Sequence, residues 1–218
     1  EGLFATITTG DFDPDRFVAW IDRALAHNRA LRAQYGLSAD ALDEYAGWDV
    51  SDTLNDDARR SAYEAKMADA AITRTEDPDV RSLRELTIYG LKGIAAYAHH
   101  AYILGQEDDD IYAFFEQALG FLAEKPADPE QLTTMALDVG KVNYRVMELL
   151  HQANTGAYGH PRPTKVRTTP VAGKAILVSG HDLKDLAELL KQTEGTGINI
   201  YTHGEMLPCH GYPEFQKH

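Results

Sequence analysis

The sequence predicts a mainly α-helical protein, in which a helical bundle domain is followed by the first β-α-β unit of a Rossmann-like α/β domain. Apolar residues recur at helical spacing through the first two-thirds of the chain. A stretch rich in glycine and proline follows, and beyond it two short apolar runs flank an amphipathic segment. We therefore predict a helical bundle domain at 1–155, a linker at 156–173 and a truncated α/β domain at 174–218.

Start and stop signals divide the helical domain into segments. At Asp13 a side-chain acceptor precedes a proline, which favours a helix that begins there and ends near Gly36. Short connections between the segments favour antiparallel packing. Further helical segments are predicted at 41–45, 54–74, 79–104, 111–122 and 132–156.

Two local features of these helices need an explanation. Gly90 and Gly93 weaken the helix at 79–104 unless they allow a neighbour to approach closely, so we expect close helix packing at both. The run 108–110 consists of three aspartates and stands where the positive end of the next helix dipole should lie. We interpret it as a helix cap rather than a metal site.

The last segment has the pattern of a parallel crossover unit. Ala175–Ser179 reads as a buried strand, 182–192 as an amphipathic helix and 198–202 as a second strand. Such a connection is expected to be right-handed. Because a two-stranded parallel sheet is not stable alone, further strands or self-association should cover its open edge.

The composition argues against several classes of function. Acidic residues outnumber basic ones 34 to 21, and the formal net charge of -13 disfavours nucleic acid as a partner. No apolar run reaches the roughly 18 to 20 residues of a membrane span, and no leader-like segment opens the sequence, so we expect a cytoplasmic protein.

Since Cys209 is the only cysteine, these residues cannot form a disulfide or a thiolate-rich metal site. The sequence starts without Met and stops soon after the second strand, so we expect a piece of a longer protein.

Two potential metal ligands follow the two predicted strands. His181 comes just after the first strand and Glu205 just after the second, each preceded by a glycine. Ligands of open α/β sheets gather at the carboxyl ends of the strands, so both side chains should project from one edge. The alternatives remain open that His181 caps the following helix and that Glu205 is a solvated loop carboxylate.

Other polar residues are weaker candidates. His203 and Glu205 form a His-x-Glu pair that points to one face of an extended segment. Cys209 and His210 could pair as thiol and imidazole, although no orienting partner is evident and a nucleophilic role for Cys209 is disfavoured. No glycine-rich phosphate loop is present. Three further histidines are interpreted as core or boundary residues: His99, His100 and His151.

Several long runs of the chain resemble the hybrid cluster proteins, also called prismane proteins or hydroxylamine reductases. In the last segment the resemblance is carried by Ala172–Leu186, Gln192–Pro208 and His210–Glu214. Upstream it continues through four shorter runs: Tyr89–Tyr97, His99–Asp110, Val139–Tyr144 and Tyr158–Thr164. It is weakest between Leu37 and Thr75. The resemblance therefore covers nearly the whole chain.

The resemblance implies an iron-sulfur oxidoreductase with a helical domain and two α/β domains. Such a protein carries a cubane-type cluster, 4Fe-4S or 2Fe-2S, and a hybrid iron-sulfur-oxygen cluster held by one His, two Glu and several Cys. His181 matches the histidine ligand and Glu205 the first glutamate ligand. The cysteines that hold the cubane would precede this chain and the other hybrid-cluster ligands would follow it. Cys209 stands where many relatives have Ala and is not counted as a ligand.

The activity implied for the longer protein is reduction of hydroxylamine to ammonia, of nitric oxide, or of both, in defence against nitrosative stress. Its partners would be the small-molecule substrate and an electron-donor reductase, without nucleic acid or membrane. The 218 residues alone should hold no complete cluster and be inactive. A carbon monoxide dehydrogenase of related architecture and an acidic, non-enzymatic helical interaction module are the alternatives.

Overall fold

The computed structural model describes residues 2–7, 13–42 and 45–218. The seven α-helices and two β-strands of these residues are α1 (Gly2–Ala5), α2 (Pro14–Tyr35), α3 (Asp56–Asp69), α4 (Pro78–Tyr102), α5 (Asp109–Ala123), α6 (Pro129–Tyr158), β1 (Ala175–Ser179), α7 (Leu183–Thr193) and β2 (Asn199–His203). Short 3-10 segments add four turns, at Ala39–Ala41, Ile72–Arg74, Gly204–Gly211 and Phe215–Lys217. The predicted fold class, helices followed by a β-α-β unit, is confirmed.

The chain forms two compact units. The first comprises Glu1–Ala96 and Asp109–Tyr144, and the second comprises Tyr97–Asp108 and Arg145–His218. The domain limits predicted from the sequence, 1–155, 156–173 and 174–218, do not coincide with these two units and stay a prediction. Helix α6 ends at Tyr158, so the first residues of the predicted linker are helical.

The helix limits largely follow the sequence signals. Asp13 accepts hydrogen bonds from the first-turn amides of α2, and Gly36 closes that helix in the left-handed conformation. The helix predicted at 54–74 stops earlier, because α3 ends at Asp69 and a 3-10 turn follows at Ile72–Arg74. The short helix predicted at 41–45 is instead a 3-10 turn at Ala39–Ala41, and residues 43 and 44 of that prediction lie outside the described residues.

In the first unit one apolar cluster joins α2, α3 and the segment before α3. Leu25, Val50 and Tyr63 are its buried members. The Tyr63 hydroxyl donates a hydrogen bond to Asp22, and burial together with this bond raises the pKa of Tyr63 to about 12. The most completely buried apolar side chains of the unit lie on α4, α5 and α6: Leu91, Ile94, Ile111 and Leu132.

Only one of the two glycines inside α4 is explained by close packing. A Cβ on Gly90 would collide with the Val139 side chain of α6, so the prediction of close approach is confirmed there. At Gly93 a Cβ would meet no atom within 4 Å, so the same prediction is wrong.

The second unit is built on the two-stranded parallel sheet. β1 pairs with β2 in register from Ala175 opposite Asn199 to Ser179 opposite His203. Leu186 of α7 packs with Met206 and Cys209, and partly buried residues of both strands complete this cluster: Val178 and Ile200.

The prediction that β1 is a buried strand is wrong for these residues. Four of its five residues are exposed, and Leu177 is 69% exposed. The physical reason is that α7 covers one face of the sheet, whereas the described residues supply no layer for the other. Parallel sheets are normally covered on both faces.

The end of α6 fastens the C-terminal segment. The Tyr158 carbonyl accepts a hydrogen bond from the Glu214 amide at 3.1 Å, and the Gly211 carbonyl accepts one from the Arg162 amide at 2.9 Å. The rings of Tyr158 and Phe215 lie 4.7 Å apart. These contacts hold the 3-10 segment after β2 in place.

Asp108 of the predicted cap has a specific partner. Its carboxylate accepts two hydrogen bonds from Arg145 of α6, at 2.7 and 2.9 Å, while Asp109 and Asp110 lie in the first turn of α5. The guanidinium and carboxylate planes match in such a bidentate pair, which fixes its geometry.

None of the helices among the described residues has the length and apolar character to span a membrane.

Candidate metal centre

His181 and Glu205 meet at the carboxyl ends of the two strands. Gly180 and Gly204 let the chain leave each strand with φ values of 127° and 57°, which residues with a side chain rarely adopt. Each candidate ligand lies two positions beyond the last residue pair of the sheet. The His181 Nε2 atom contacts the Glu205 carboxylate, and the two side chains are 63% and 69% exposed. The structure thus brings together both residues that the sequence singled out.

The His181 side of the pair is fixed by the start of α7. Asp182, not His181, caps that helix, because its carboxylate accepts the amides of Lys184 and Asp185 at 2.7 and 3.1 Å. The interpretation of His181 as the cap is therefore wrong. The other carboxylate oxygen of Asp182 lies 3.9 Å from the Nε2 atom of His100, near the end of α4.

The Glu205 side is fixed by the 3-10 segment Gly204–Gly211. Met206, the next residue, is 3% exposed and packs in the apolar cluster beneath the sheet rim. The His210 Nε2 atom lies 2.8 Å from the Thr202 hydroxyl, which ties the segment back to β2. Glu205 therefore stands on a short, well-supported turn, although its own side chain is exposed.

A second polar pair lies one step closer to the sheet. Ser179 and His203 are the last partners of the strand register, and the Ser179 hydroxyl is 3.3 Å from the His203 Nδ1 atom. Sequence reasoning singled out His203 only as a neighbour of Glu205 and missed Ser179. The signal that could have found Ser179 is its spacing, since it precedes His181 by the same two residues that separate His203 from Glu205.

Sequence reasoning also missed the approach of His100 to Asp182. His100 was predicted to be a core or boundary histidine, and its side chain is indeed only 14% exposed. Burial lowers the pKa of His100, which the nearby Asp182 carboxylate partly opposes. His99 beside it is partly buried, whereas His151 on α6 is exposed and its ring lies 6.5 Å from that of His160.

Cys209 is a structural cysteine here. Cys209 is 3% exposed within the apolar cluster, and burial raises the pKa of its thiol. The neighbouring His210 directs its Nε2 atom to Thr202. This arrangement argues against a thiol–imidazole pair of Cys209 and His210.

We expect Cys209 to resist alkylation in the folded protein. At pH 8, iodoacetamide should modify Cys209 at least about tenfold more slowly in the native chain than in urea. The reason is that a buried thiol with a raised pKa supplies little accessible thiolate. The intact mass reports on this residue alone, since the chain has a single cysteine. Equal rates with and without urea would contradict the placement of this thiol.

The donor atoms at the rim fit part of an iron site. An imidazole nitrogen and a carboxylate oxygen are suitable ligands for iron, and both are exposed toward the same space. Among the described residues, however, no group of three or more His, Cys, Asp or Glu side chains is placed to hold a metal. The thiol of Cys209 is buried in the apolar cluster. Among the described residues, this pair therefore offers two donor atoms and no complete metal site.

The fold and the His181–Glu205 pair define a class of protein. It is a helical protein with a β-α-β unit that presents an imidazole and a carboxylate beyond its strand ends. The chain belongs to the Prismane/CO dehydrogenase family, whose model matches residues 1–218. It is 49% identical to a hydroxylamine reductase of Maridesulfovibrio salexigens over 219 residues, and 46% identical to one of Escherichia coli over 221 residues. A hydroxylamine reductase of Desulfitobacterium hafniense is 49% identical over 222 residues.

These matches cover the whole of this chain but only part of its relatives. The chain spans about two-fifths of the length of the curated relatives, 39% for the Maridesulfovibrio protein and 40% for that of Escherichia coli. Family membership thus holds for all 218 residues, including the segment from Leu37 to Thr75 where the resemblance of motifs is weakest.

Proposed function

We propose that this chain is part of an iron-sulfur oxidoreductase that reduces hydroxylamine to ammonia, and that His181 and Glu205 hold one edge of its hybrid iron-sulfur-oxygen cluster. The observation that carries the proposal is the meeting of an imidazole and a carboxylate at the rim of the sheet. The relatives that match over the full chain at 46% to 49% identity are named hydroxylamine reductases, which supports the substrate.

An imidazole and a carboxylate are suitable ligands for this chemistry. When bound, the cluster supplies electrons and an iron atom with an open position for the nitrogen or oxygen of the substrate. Imidazole and carboxylate ligands are harder donors than thiolates and favour iron that also binds oxygen. His181 and Glu205 hold and orient that edge, Asp182 and the buried Met206 fix the segments on which they stand, and none of these residues forms a covalent bond to substrate.

The reaction needs reactants from outside the chain. Reduction of hydroxylamine breaks the N–O bond with two electrons and two protons and releases ammonia and water. A donor reductase would have to supply the electrons, and these residues can complete neither the cubane nor the hybrid cluster. The 218-residue chain alone is therefore inactive. The proposed setting is the cytoplasm, with nitric oxide as a second substrate to be tested at the same cluster.

Metal analysis of the longer protein tests the proposal and separates its alternatives. Anaerobically purified protein should contain iron and acid-labile sulfide without nickel, and should oxidise a reduced viologen dye when hydroxylamine is added. Nickel would indicate a carbon monoxide dehydrogenase, and absence of both iron and sulfide would indicate a non-enzymatic interaction module. Iron-loaded protein that consumes nitric oxide but not hydroxylamine would contradict the proposed substrate.

A further inference from the structure

The last residue pair of the sheet lies directly behind the candidate ligands. Ser179 and His203 face each other in register, and one glycine separates each of them from its ligand. Both glycines have positive φ and lack a Cβ that would restrict the backbone. Each ligand therefore stands only two positions beyond the last sheet pair, and the spacing of the strand ends is one determinant of the distance between the ligands.

The Ser179–His203 hydrogen bond joins those strand ends. It joins the Ser179 hydroxyl of β1 and the His203 Nδ1 atom of β2, which are 3.3 Å apart, in addition to the backbone pairing. Each of the other supporting contacts holds only one of the two ligands. Asp182 caps the helix that follows His181, and the contact of His210 with Thr202 holds the turn that carries Glu205.

We propose that the Ser179–His203 hydrogen bond is a clamp that sets the spacing of His181 and Glu205, which makes His203 a positioning residue of the metal centre. This inference rests on the proposed function only where it concerns the cluster. The clamp acts through Nδ1, the ring atom that faces Ser179. Groups that hydrogen-bond directly to metal ligands typically change metal affinity by about 10- to 100-fold, and a clamp one step behind the ligands should act near the lower end of that range.

Three substitutions separate the clamp from other roles of His203. Ser179→Ala removes the partner hydroxyl. His203→Asn keeps a polar atom near the position of Nδ1 and should preserve the bond, whereas His203→Gln places its amide near the position of Nε2 and should not. The matched control is His160→Asn, which changes an exposed histidine of the same unit.

The first measurement uses the metal-free 218-residue chain. Imidazole nitrogen NMR should show that Ser179→Ala and His203→Gln shift the ring signals of His181, while His203→Asn and the control leave them in place. In the longer protein, the same two variants should retain iron about tenfold less well on chelator challenge and change the electron paramagnetic resonance line shape of the iron that remains. The His203→Asn variant should match the unchanged protein in both.

The outcomes against the clamp are equally specific. The proposal is overturned if Ser179→Ala leaves the His181 signals unchanged, or if His203→Asn is no better than His203→Gln. The NMR result does not depend on iron, so a longer protein without iron or sulfide would overturn the proposed function and leave the clamp to be judged on the chain itself.

Discussion

Replacing either candidate ligand should remove the cluster while leaving the protein folded. His181→Ala and Glu205→Ala in the longer protein should lower bound iron and hydroxylamine reduction by more than the roughly 10- to 100-fold loss that follows removal of a ligand-orienting group. The reason is that each substitution deletes a donor atom from the rim. Both side chains are more than half exposed, so their loss creates no cavity.

Stability measurements make this expectation specific. Thermal unfolding of the 218-residue chain should change by no more than the about 0.5 kcal/mol typical of exposed substitutions. Matched controls are Glu148→Ala and His151→Ala, which remove an exposed carboxylate and an exposed imidazole from α6 of the same unit. Full iron content in the His181→Ala protein would refute its assignment as a ligand, and so would an equal loss of iron in the controls.

The second large effect is expected at the contact between α4 and α6. Gly90→Ala should destabilise the chain by about 1–3 kcal/mol, because the new methyl group collides with the Val139 side chain, which is 5% exposed. Gly93→Ala adds the same atom to the same helix in open space, and should stabilise by up to about 1 kcal/mol through helix propensity alone. Urea unfolding of both variants measures the difference.

A double-mutant cycle identifies the cause. Val139→Ala alone should destabilise by removing buried methyl groups, yet Gly90→Ala should cost much less in that background, because the colliding atoms are gone. An unchanged cost of Gly90→Ala, or equal effects at Gly90 and Gly93, would show that the close approach does not control stability.

Local sequence signals predicted the elements well where the cause is local. Asp13 and Gly36 mark the ends of α2 because capping needs only a side chain and a few neighbouring amides. The predictions failed where the cause is tertiary. Gly90 and Gly93 look alike in sequence, but only the placement of Val139 distinguishes them. Likewise, an apolar run in the sequence does not show whether one or both faces of a strand are covered. The exposure of β1 could therefore not be predicted.

The candidate site shows the same division. Strand ends followed by glycine and a ligand-type side chain were enough to predict that His181 and Glu205 share one edge. The supporting contacts required coordinates, because His100 precedes Asp182 by more than eighty residues and approaches it only through the fold. The sequence left open whether His181 caps α7, and the coordinates exclude that alternative because the Asp182 carboxylate accepts the first-turn amides.

By itself the sequence determined the helical and β-α-β character of this protein, its family resemblance and the identity of its candidate ligands, since periodicity, capping and residue type are properties of short segments. Tertiary structure decided which glycine is crowded, which carboxylate caps α7, where the thiol of Cys209 is buried and which serine faces His203. Those outcomes depend on distances between segments far apart in the chain, and packing sets such distances where local preference cannot.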